Sequence, residues 1–537
     1  MSSVITASTT SNTALTLSGD TSGQLEIKTG AGPTTAITIS SAQLTTIAND
    51  ASISGLTVGR GAGAVATNVA VGASALNANT TGASCTAVGA DSLALNTTGR
   101  NTAYGRYSLN ANTTGTFNTG LGDQALLFNT TGGNNVSVGY QALAFNSTAS
   151  NNTAVGYQAM YSNTTGTDNT AVGYGALYTN TTSLYNTAVG RDALRTGTGA
   201  RNTAIGAYTQ NNQTTGASNT TVGVGGLNSN TTGSFNTAIG DQSLINNTTA
   251  SNNTAVGYQA GYSNTTGTQN AFFGGGSGYA TTGSYNSFFG SEINYNGGSG
   301  SYNSGLGHQV LRYTTTGSNN TAVGFQALLL NTTASNNTAV GYQSGYALTT
   351  GANNTCIGLS AGYGTPVGGA NITTGSNNIY IGGYSSPSAS ANTSEIVIGY
   401  NSVGKGTGTG FMNAGGGGNY AGNNSASWST ISDKRVKKNI VDNNIGLEKI
   451  MQIQVRNFEY RKPEEITELP QDLAIKKDGI QFGVIAQELQ QILPNCVKEE
   501  STGFLSVDPS DLTWYLINAV KELKAEVDLL KQQINGA

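Results

Sequence analysis

The chain has 537 residues, 75 of them glycine, and only 9 % of it is charged, against about a quarter in ordinary globular domains. Its net charge of −4 gives no reason to expect nucleic acid as a partner, and its three scattered cysteines (Cys85, Cys356, Cys496) indicate neither a disulfide framework nor a zinc site. We see no run of 18 apolar residues and no basic segment followed by an apolar core at the N-terminus, so we expect no membrane insertion, no secretory signal and no cofactor.

Residues 1–57 are rich in threonine and serine and contain short alternating apolar runs such as TALTLSG and GQLEIKTG. Such alternation predicts short strands with one covered face. Two interpretations of this segment stay open. It is either a region that attaches the molecule to something larger or a plain cap on the repeats that follow.

A repeat with the consensus N-T-A-V-G-Y-Q-A-L-x-x-N-T-T-G-x-x dominates residues 58–400. A glycine after the apolar pair recurs every 16 or 17 residues from Gly72 to Gly358, and again at Gly382 and Gly399, which gives twenty copies. Helical hairpin repeats need about 33 residues, whereas 17 suit one coil of a parallel β-solenoid with two short strands and two turns. We attribute the turns to NTTG, because asparagine and glycine tolerate left-handed backbone. Twenty coils would stack to about 95 Å.

This repeat resembles the head repeats of YadA-like trimeric autotransporter adhesins, which share an [ST]-A-[VI]-G-x-x-[AS] core. The resemblance covers about residues 60–400 and implies a trimeric, left-handed parallel β-roll. Those adhesins also carry a signal peptide and a membrane barrel, which we do not recognise here, so the resemblance implies the shaft fold and not the anchoring. We interpret the many N-x-[ST] matches as turn chemistry rather than glycosylation acceptors, and His308 as a tolerated surface substitution.

Residues 401–431 are glycine-rich and interrupt the repeat. One interpretation is a flexible linker. The other is an aromatic distal tip that touches a ligand, built from aromatic residues of this segment and of the last repeats. These are Tyr363, Tyr380, Tyr384, Tyr400, Phe411, Tyr420 and Trp428.

The composition changes sharply at Ser432, because residues 432–537 hold 31 of the 50 charged residues. The segment GLEKIMQIQVRNFEYRK predicts a short helix and then a strand, and GIQFGVIAQELQQILPNCV predicts a strand and an amphipathic helix that ends at Pro494. The last segment predicts a strand, a turn and a long helix. We therefore expect a small α+β domain here.

Apolar residues in the long helix step by four and three, with valine or isoleucine at a and leucine at d. This spacing predicts self-association through a coiled coil, and the alternative is a helix packed on its own domain. The apolar seam consists of Leu516, Val520, Leu523, Val527, Leu530 and Ile534.

Three blocks of residues 432–537 resemble, in order, the intramolecular chaperone domain of phage tail fibres, tailspikes and endosialidases. They are SDKRVKKNI, FGVIAQELQQILP and LINAVKELKAEVDLLK. That family consists of self-cleaving peptidases. The resemblance implies trimeric association, folding assistance to the upstream fibre and cleavage of the Ile431–Ser432 bond, with Ser432 as nucleophile and Lys437 as its base.

The residue types fit this chemistry. A serine hydroxyl needs a base, and the only histidine lies in the repeats, so a serine–lysine pair is the remaining common arrangement. A lysine amine becomes a useful base when burial or neighbouring cations lower its pKa, and Lys434, Arg435 and Lys438 supply such cations. The plainer alternative is that Ser432 caps the N-terminus of a basic helical turn.

We therefore expect a virion fibre made in the host cytoplasm: a homotrimer that joins other tail components through its N-terminus and a host receptor, glycan or protein, through its distal end. The alternatives are a tailspike depolymerase that acts on a host surface glycan and a cellular trimeric adhesin. The carboxylates available to a depolymerase are few and mostly isolated in sequence. They are Asp91, Asp123, Asp168, Asp192, Asp241, Glu292 and Glu395.

Overall fold

The computed structural model contains two compact units, residues 1–431 and 432–537. It describes residues 56–364, 368–413, 419–421, 429–430, 434, 437–467, 475, 477–499 and 505–536, together with four short strands before residue 54.

The N-terminal part of the first unit forms short antiparallel strands, as the alternating sequence predicts. Strands β1 (Leu25–Lys28), β2 (Thr35–Ile39) and β3 (Thr45–Thr46) make one small sheet. Strands β4 (Ala51–Ile53) and β5 (Leu56–Gly59) form a hairpin, and β5 pairs with the first strand of the repeats.

The repeats form a parallel β-solenoid, which confirms the predicted fold class. Its 21 strands, β6 to β26, have three residues each, and each pairs with the strand one coil before and one coil after it. The strands are Val69–Val71, Thr86–Val88, Thr102–Tyr104, Thr119–Leu121, Val136–Val138, Thr153–Val155, Thr170–Val172, Thr187–Val189, Thr203–Ile205, Thr220–Val222, Thr237–Ile239, Thr254–Val256, Ala271–Phe273, Ser287–Phe289, Ser304–Leu306, Thr321–Val323, Thr338–Val340, Thr355–Ile357, Ile379–Ile381, Ile396–Ile398 and Gly410–Met412. The parallel stack thus continues one strand beyond residue 400, and β27 (Asn419–Ala421) and β28 (Ser429–Thr430) extend it in antiparallel pairs.

Each coil has one strand and not the predicted two. The segment after the phase glycine winds through left-handed residues, for example Gln141 (φ 52°) and Leu143 (φ 51°). These turns still bond coil to coil, since the N–H of Leu126 donates to the carbonyl oxygen of Ala142 at 3.0 Å. The backbone polar groups are therefore satisfied along the stack without a second ladder of strands.

The interior of each coil is filled by side chains of the same chain. In one typical coil Ala142, Leu143, Asn146 and Ala154 are completely buried. Asn146 is part of an asparagine ladder, because its Nδ2 donates to the Oδ1 of Asn129 at 2.7 Å and to a backbone carbonyl of its own turn. A single chain thus forms a closed, fully packed core.

The position of these asparagines shows that our attribution of the turns to N-T-T-G asparagine was wrong. The asparagines of N-T-T and N-T-A do not supply left-handed backbone; they lie inside the coil and bond to the next coil. Asn152, which opens one N-T-A, is buried as well. These buried amides cannot serve as glycosylation acceptors in the folded chain, which supports a structural role for those N-x-[ST] matches. In N-N-T matches such as the one that begins at Asn151, the acceptor asparagine is exposed.

The phase glycines are required by the backbone. Gly156 has φ +135°, and a Cβ placed on it would lie 2.5 Å from the carbonyl oxygen of Gly173 in the next coil. Both the backbone conformation and the approach of the neighbouring coil exclude a side chain here. The regular 16- to 17-residue spacing of these glycines therefore reflects the geometry of stacking.

The second unit is small and mixed, and it has the elements that the sequence predicts, in the predicted order, with one further strand at Val497–Glu499. It contains α1 (Leu447–Ile450), β29 (Arg456–Phe458), β30 (Gln481–Gly483), α2 (Ala486–Ile492), β31 (Val497–Glu499), β32 (Leu505–Val507) and α3 (Pro509–Asn535). Short 3-10 turns lie at Pro463–Glu465 and Pro494–Cys496. The strands form two antiparallel pairs, β29 with β30 and β31 with β32.

Candidate functional site

The predicted cleavage site falls partly outside the described residues. Ile431 and Ser432 are not among them. Lys437 is described; its side chain is exposed, and its backbone N–H donates to the carbonyl oxygen of Lys434 at 3.2 Å. Lys434 lies in a 3-10 turn, residues 437–446 are irregular, and α1 begins only at Leu447. Because Ser432 lies outside the described residues, the alternative that it caps a basic helical turn stays open.

The second unit has a small core. Its buried cluster consists of Leu489 and Leu493 around α2 together with Cys496, and Leu512 and Tyr515 at the start of α3 pack against it. An ion pair that holds Arg456 on Glu488 at 3.1 Å joins β29 to α2, but both side chains are about half exposed. Exposed ion pairs stabilise little, so this unit depends on few buried contacts.

Helix α3 packs on its own unit through one narrow face. Asn518 donates from Nδ2 to the carbonyl oxygen of Asn443 at 2.6 Å, and the carboxylate of Glu522 accepts the backbone N–H of Leu447 at 2.7 Å. Ala519, between them, is buried. These residues anchor α1 and the segment before it to the middle of α3.

The predicted a/d seam lies on a different face of α3 and is uncovered. The exposed fractions of its six residues range from 36 % at Val527 to 75 % at Ile534. Because the contacts of α3 with its own unit use other residues, the alternative that the seam packs on its own domain finds no support in this structure. Further large apolar side chains of the same unit are also exposed. They are Ile440, Val441, Met451, Val455, Ile480, Phe482 and Trp514.

The solenoid carries a second uncovered apolar surface, which we call the outward apolar column. It consists of the third residue of each strand from β6 to β26; the middle residue of each strand points inward, and the third is half-buried or exposed. Every member is apolar or aromatic. The column comprises Val71, Val88, Tyr104, Leu121, Val138, Val155, Val172, Val189, Ile205, Val222, Ile239, Val256, Phe273, Phe289, Leu306, Val323, Val340, Ile357, Ile381, Ile398 and Met412.

Sequence reasoning missed this column, although its signal is present. In a strand, successive side chains point to opposite faces. If the alanine of the consensus T-A-V points into the coil, the valine that follows it must point outward. An unbroken apolar position that faces outward in every copy indicates a covered surface.

The hypothesis of an aromatic tip loses two of its residues. Tyr380 is fully buried, and its hydroxyl donates to the carboxylate of Glu395 at 3.1 Å, while Phe411 lies in the coil interior. Tyr384 and Tyr400 remain on the surface, with ring centroids 6.0 Å apart. The side chains of Tyr420 and Trp428 lie outside the described residues.

Several shaft carboxylates are engaged by arginine. Asp123 lies 3.2 Å from Arg106, and Asp192 lies 2.5 Å from Arg195 and 3.5 Å from Arg191. Such pairing occupies these carboxylates. A glycosidase instead needs two carboxyl groups that face a shared sugar, one of them free to donate a proton.

The two glutamates of the shaft are also occupied. Glu292 accepts a hydrogen bond from Gln309, and this bond, together with the nearby Arg312, lowers the pKa of Glu292. Glu395 is buried and accepts hydrogen bonds from Tyr380 and from the backbone N–H of Gly406. These contacts give the depolymerase alternative no support.

The described residues contain neither a metal-binding cluster nor a membrane-spanning helix. Over the described ranges no three histidine, cysteine or acidic side chains converge as a metal site would require. No described helix combines the length and the apolar character that crossing a bilayer demands. His308 stacks on Phe325 with ring centroids 5.7 Å apart, as one rung of an outer aromatic ladder.

Residues 432–498 match the family model Peptidase_S74, described as chaperone of endosialidase. The matched segment begins at the predicted nucleophile and ends before β32 and α3. The family is one of self-cleaving peptidase domains, and the matched residues lie entirely within the second compact unit. The chain thus combines a β-solenoid shaft with a C-terminal segment that matches the chaperone-of-endosialidase family model.

Proposed function

We propose that the protein is a virion fibre of the phage tail type, a homotrimer whose C-terminal unit directs assembly of the solenoid and then releases itself. The observation that carries this proposal is the chaperone-of-endosialidase match on a unit whose apolar seam is uncovered in a single chain. The N-terminus would join other tail components, and the distal end would meet a host receptor, after synthesis in the host cytoplasm.

The seam of α3 supports self-association of the C-terminal unit. Six apolar residues at a and d positions exposed to water on one helix are costly in a monomer and favourable in a coiled coil. The number three comes from the resemblance to tail-fibre chaperones and not from the seam. Burial of the seam would also compensate for the small core of the unit.

The outward apolar column supports self-association of the shaft. The column repeats at every coil over 21 strands, so its partner must present apolar groups at the same spacing over the same length. A second copy of the chain, parallel and in register, meets this requirement at every coil. A small ligand would need only a few coils, and the column lacks the convergent polar groups that orient such ligands.

Such a shaft needs a template for register. A slip of one coil between two copies preserves nearly all the contacts of the column, and long-range parallel β-structure is slow to form. A C-terminal unit that associates first would align the chains in register, and the shaft would then assemble from that end. Loss of the template afterwards would leave a kinetically trapped fibre.

The proposed cleavage uses Ser432 and Lys437. The Oγ of Ser432 attacks the carbonyl carbon of Ile431, the C–N bond breaks, and the amine of Ser432 leaves with a proton that the Lys437 amine took from the hydroxyl. Water then hydrolyses the ester. Lys437 is exposed in a single chain, so we propose that association of the chains covers it, which would make cleavage a consequence of assembly.

Mass analysis of the purified full chain tests the cleavage. Wild type should yield a fragment of 106 residues that begins at Ser432, whereas Ser432→Ala and Lys437→Ala should stay intact. Lys438→Ala, which changes a neighbouring exposed lysine, should cleave normally. Intact wild type after assembly would refute self-cleavage, and native mass measurement of Ser432→Ala would separately show whether the uncleaved chain is a trimer.

A further inference from the structure

One coil of the shaft, residues 206–222, has a polar interior. It is the single coil between Ala70 and Phe411 whose described residues add no buried apolar side chain to the core. Its inward positions hold Thr209, Gln210, Gln213 and Thr221, where a typical coil has alanine, leucine, asparagine and alanine. The backbone ladder through this coil is unbroken, because β14, β15 and β16 pair in sequence.

Gln210 takes the place of the core leucine. Its Nε2 donates to the carbonyl oxygen of Thr203 at 2.9 Å and to the hydroxyl of Thr221 at 2.8 Å. Its Oε1 is buried and has no hydrogen-bond partner. An unpaired buried carbonyl is among the costliest features that a protein interior contains.

The asparagine ladder also fails around this coil. Gly197 and Gln213 stand where asparagine would continue the ladder, and the Oδ1 of Asn180 before them is buried without a partner. Beyond them, Asn230 reaches the Oε1 of Gln213 only at 3.5 Å. This ladder is therefore interrupted at the coil, whereas the ladder of the N-T-A asparagines continues through it, since the N–H of Asn219 donates to the Oδ1 of Asn202 at 2.9 Å.

The apolar core divides at the same place. One continuous cluster of buried side chains runs from Ala70 to Ala204, and a second runs from Leu227 to Phe411. In a solenoid each coil contacts only its neighbours, so the stability of the whole is a sum of coil and interface contributions, and one weak coil interrupts cooperativity.

We propose that the shaft consists of two cooperatively folding blocks, residues 70–204 and 227–411, joined by a polar coil that opens before either block does. This inference concerns the stability of the solenoid itself and holds whether or not the shaft assembles or cleaves as proposed above. The coil is a built-in point of local opening within an otherwise uniform stack.

Hydrogen–deuterium exchange of the full chain tests the proposal. Backbone amides of residues 207–221 should exchange about tenfold or more faster than the matching amides of residues 139–155, because the unpaired Oε1 of Gln210 lowers the cost of opening. Equal protection of the two coils would overturn the proposal.

Substitution of Gln210 tests whether the polar interior causes the faster exchange. Gln210→Leu restores the usual core residue, and Gln210→Met keeps the unbranched shape of glutamine should the branched leucine not fit. Either should slow exchange in residues 207–221 towards that of residues 139–155. Ser218→Asn, a change at a half-buried position of the same coil to a residue common at that position, should leave the rate within about twofold. If neither Gln210 variant slows exchange, the polar interior is not the cause.

Discussion

The shaft and the C-terminal unit differ in how a single chain buries its apolar side chains. In the shaft a single chain closes a core in which alanine, leucine and asparagine side chains are completely buried coil after coil. In the C-terminal unit one small cluster around Leu489, Leu493 and Cys496 supports more than a hundred residues, and large apolar side chains face water. One chain is enough to close the interior of the shaft, although its outward apolar column stays uncovered. In the C-terminal unit the seam of α3 and other large apolar side chains stay exposed around a small core, a difference expected between a durable product and an assembly template.

The comparison predicts its largest effect at the seam of α3. Leu523→Asp should abolish association of the C-terminal unit, because a carboxylate would be buried against its copies. Size-exclusion chromatography with light scattering, in the Ser432→Ala background, measures the assembled mass. Gln532→Asp adds the same charge to the same helix away from the seam and should assemble normally. Full assembly of Leu523→Asp would show that the seam is not an interface.

The second effect concerns the shaft alone. Gly156→Ala should destabilise the solenoid by about 2–4 kcal/mol, because φ is +135° and the new Cβ would meet the next coil. Gly275→Ala is the matched control, since a Cβ there has nothing within 4 Å. Thermal unfolding followed by circular dichroism compares the two. Similar losses in both variants would mean that the phase glycines are not set by coil stacking.

A smaller effect is expected from the asparagine ladder. Asn146→Ala removes the donor to the Oδ1 of Asn129 and the acceptor of the Asn163 amide, and it leaves the Oδ1 of Asn129 unpaired in the interior, at a cost of about 2 kcal/mol. Thr148→Ala, an exposed change in the same turn, should cost less than about 0.5 kcal/mol. Urea denaturation gives both values, and an equal cost would show that the ladder contributes little.

The smallest expected effect is a difference in reactivity between one thiol of the shaft and one of the C-terminal unit. Burial raises the pKa of Cys356 in the shaft to about 12 and also raises that of Cys496 in the C-terminal unit. A raised folded pKa means that each thiol contributes stability fully below its unfolded value near 9.0 and loses that contribution as the pH rises through its folded value.

Iodoacetamide labelling at pH 8.5, read by mass spectrometry, makes the comparison. Cys496 should label several-fold faster than Cys356, because the thin core around it opens more readily. The Leu523→Asp variant should accelerate labelling at Cys496 and leave Cys356 unchanged. Faster labelling at Cys356 would reverse the assignment of the shaft as the more stable region.

Much of this fold follows from the sequence because its signals are periodic. Repeat length excluded helical repeats, and the elements of the C-terminal unit follow from their apolar spacing and from Pro494. The missing second strand could not be foreseen, since left-handed backbone at Gln141 and Leu143 contradicts the preferences of those residues. It is tolerated because neighbouring coils bond to it at every repeat.

The direction in which side chains point was the second feature that we could not predict from the sequence. We expected the asparagines of N-T-T to form turns, but in the stacked coils they point inward and form a ladder. We expected Tyr380 to belong to a surface tip, but it is buried and bonds to Glu395. The proposed cleavage residues stay predictions from motif and family. Only Lys437 of that pair lies among the described residues, and its exposure is what connects the proposed chemistry to association of the chains.

The buried ladder also bears on how such a chain ages. Asparagine is a chemically fragile side chain, because its amide is lost when the following backbone nitrogen attacks it. That attack needs a mobile backbone and an accessible amide. In the coils the amide of Asn146 is held by two hydrogen bonds, and the backbone after it is bonded to the next coil. A sequence crowded with a fragile residue is thereby suited to long survival without repair.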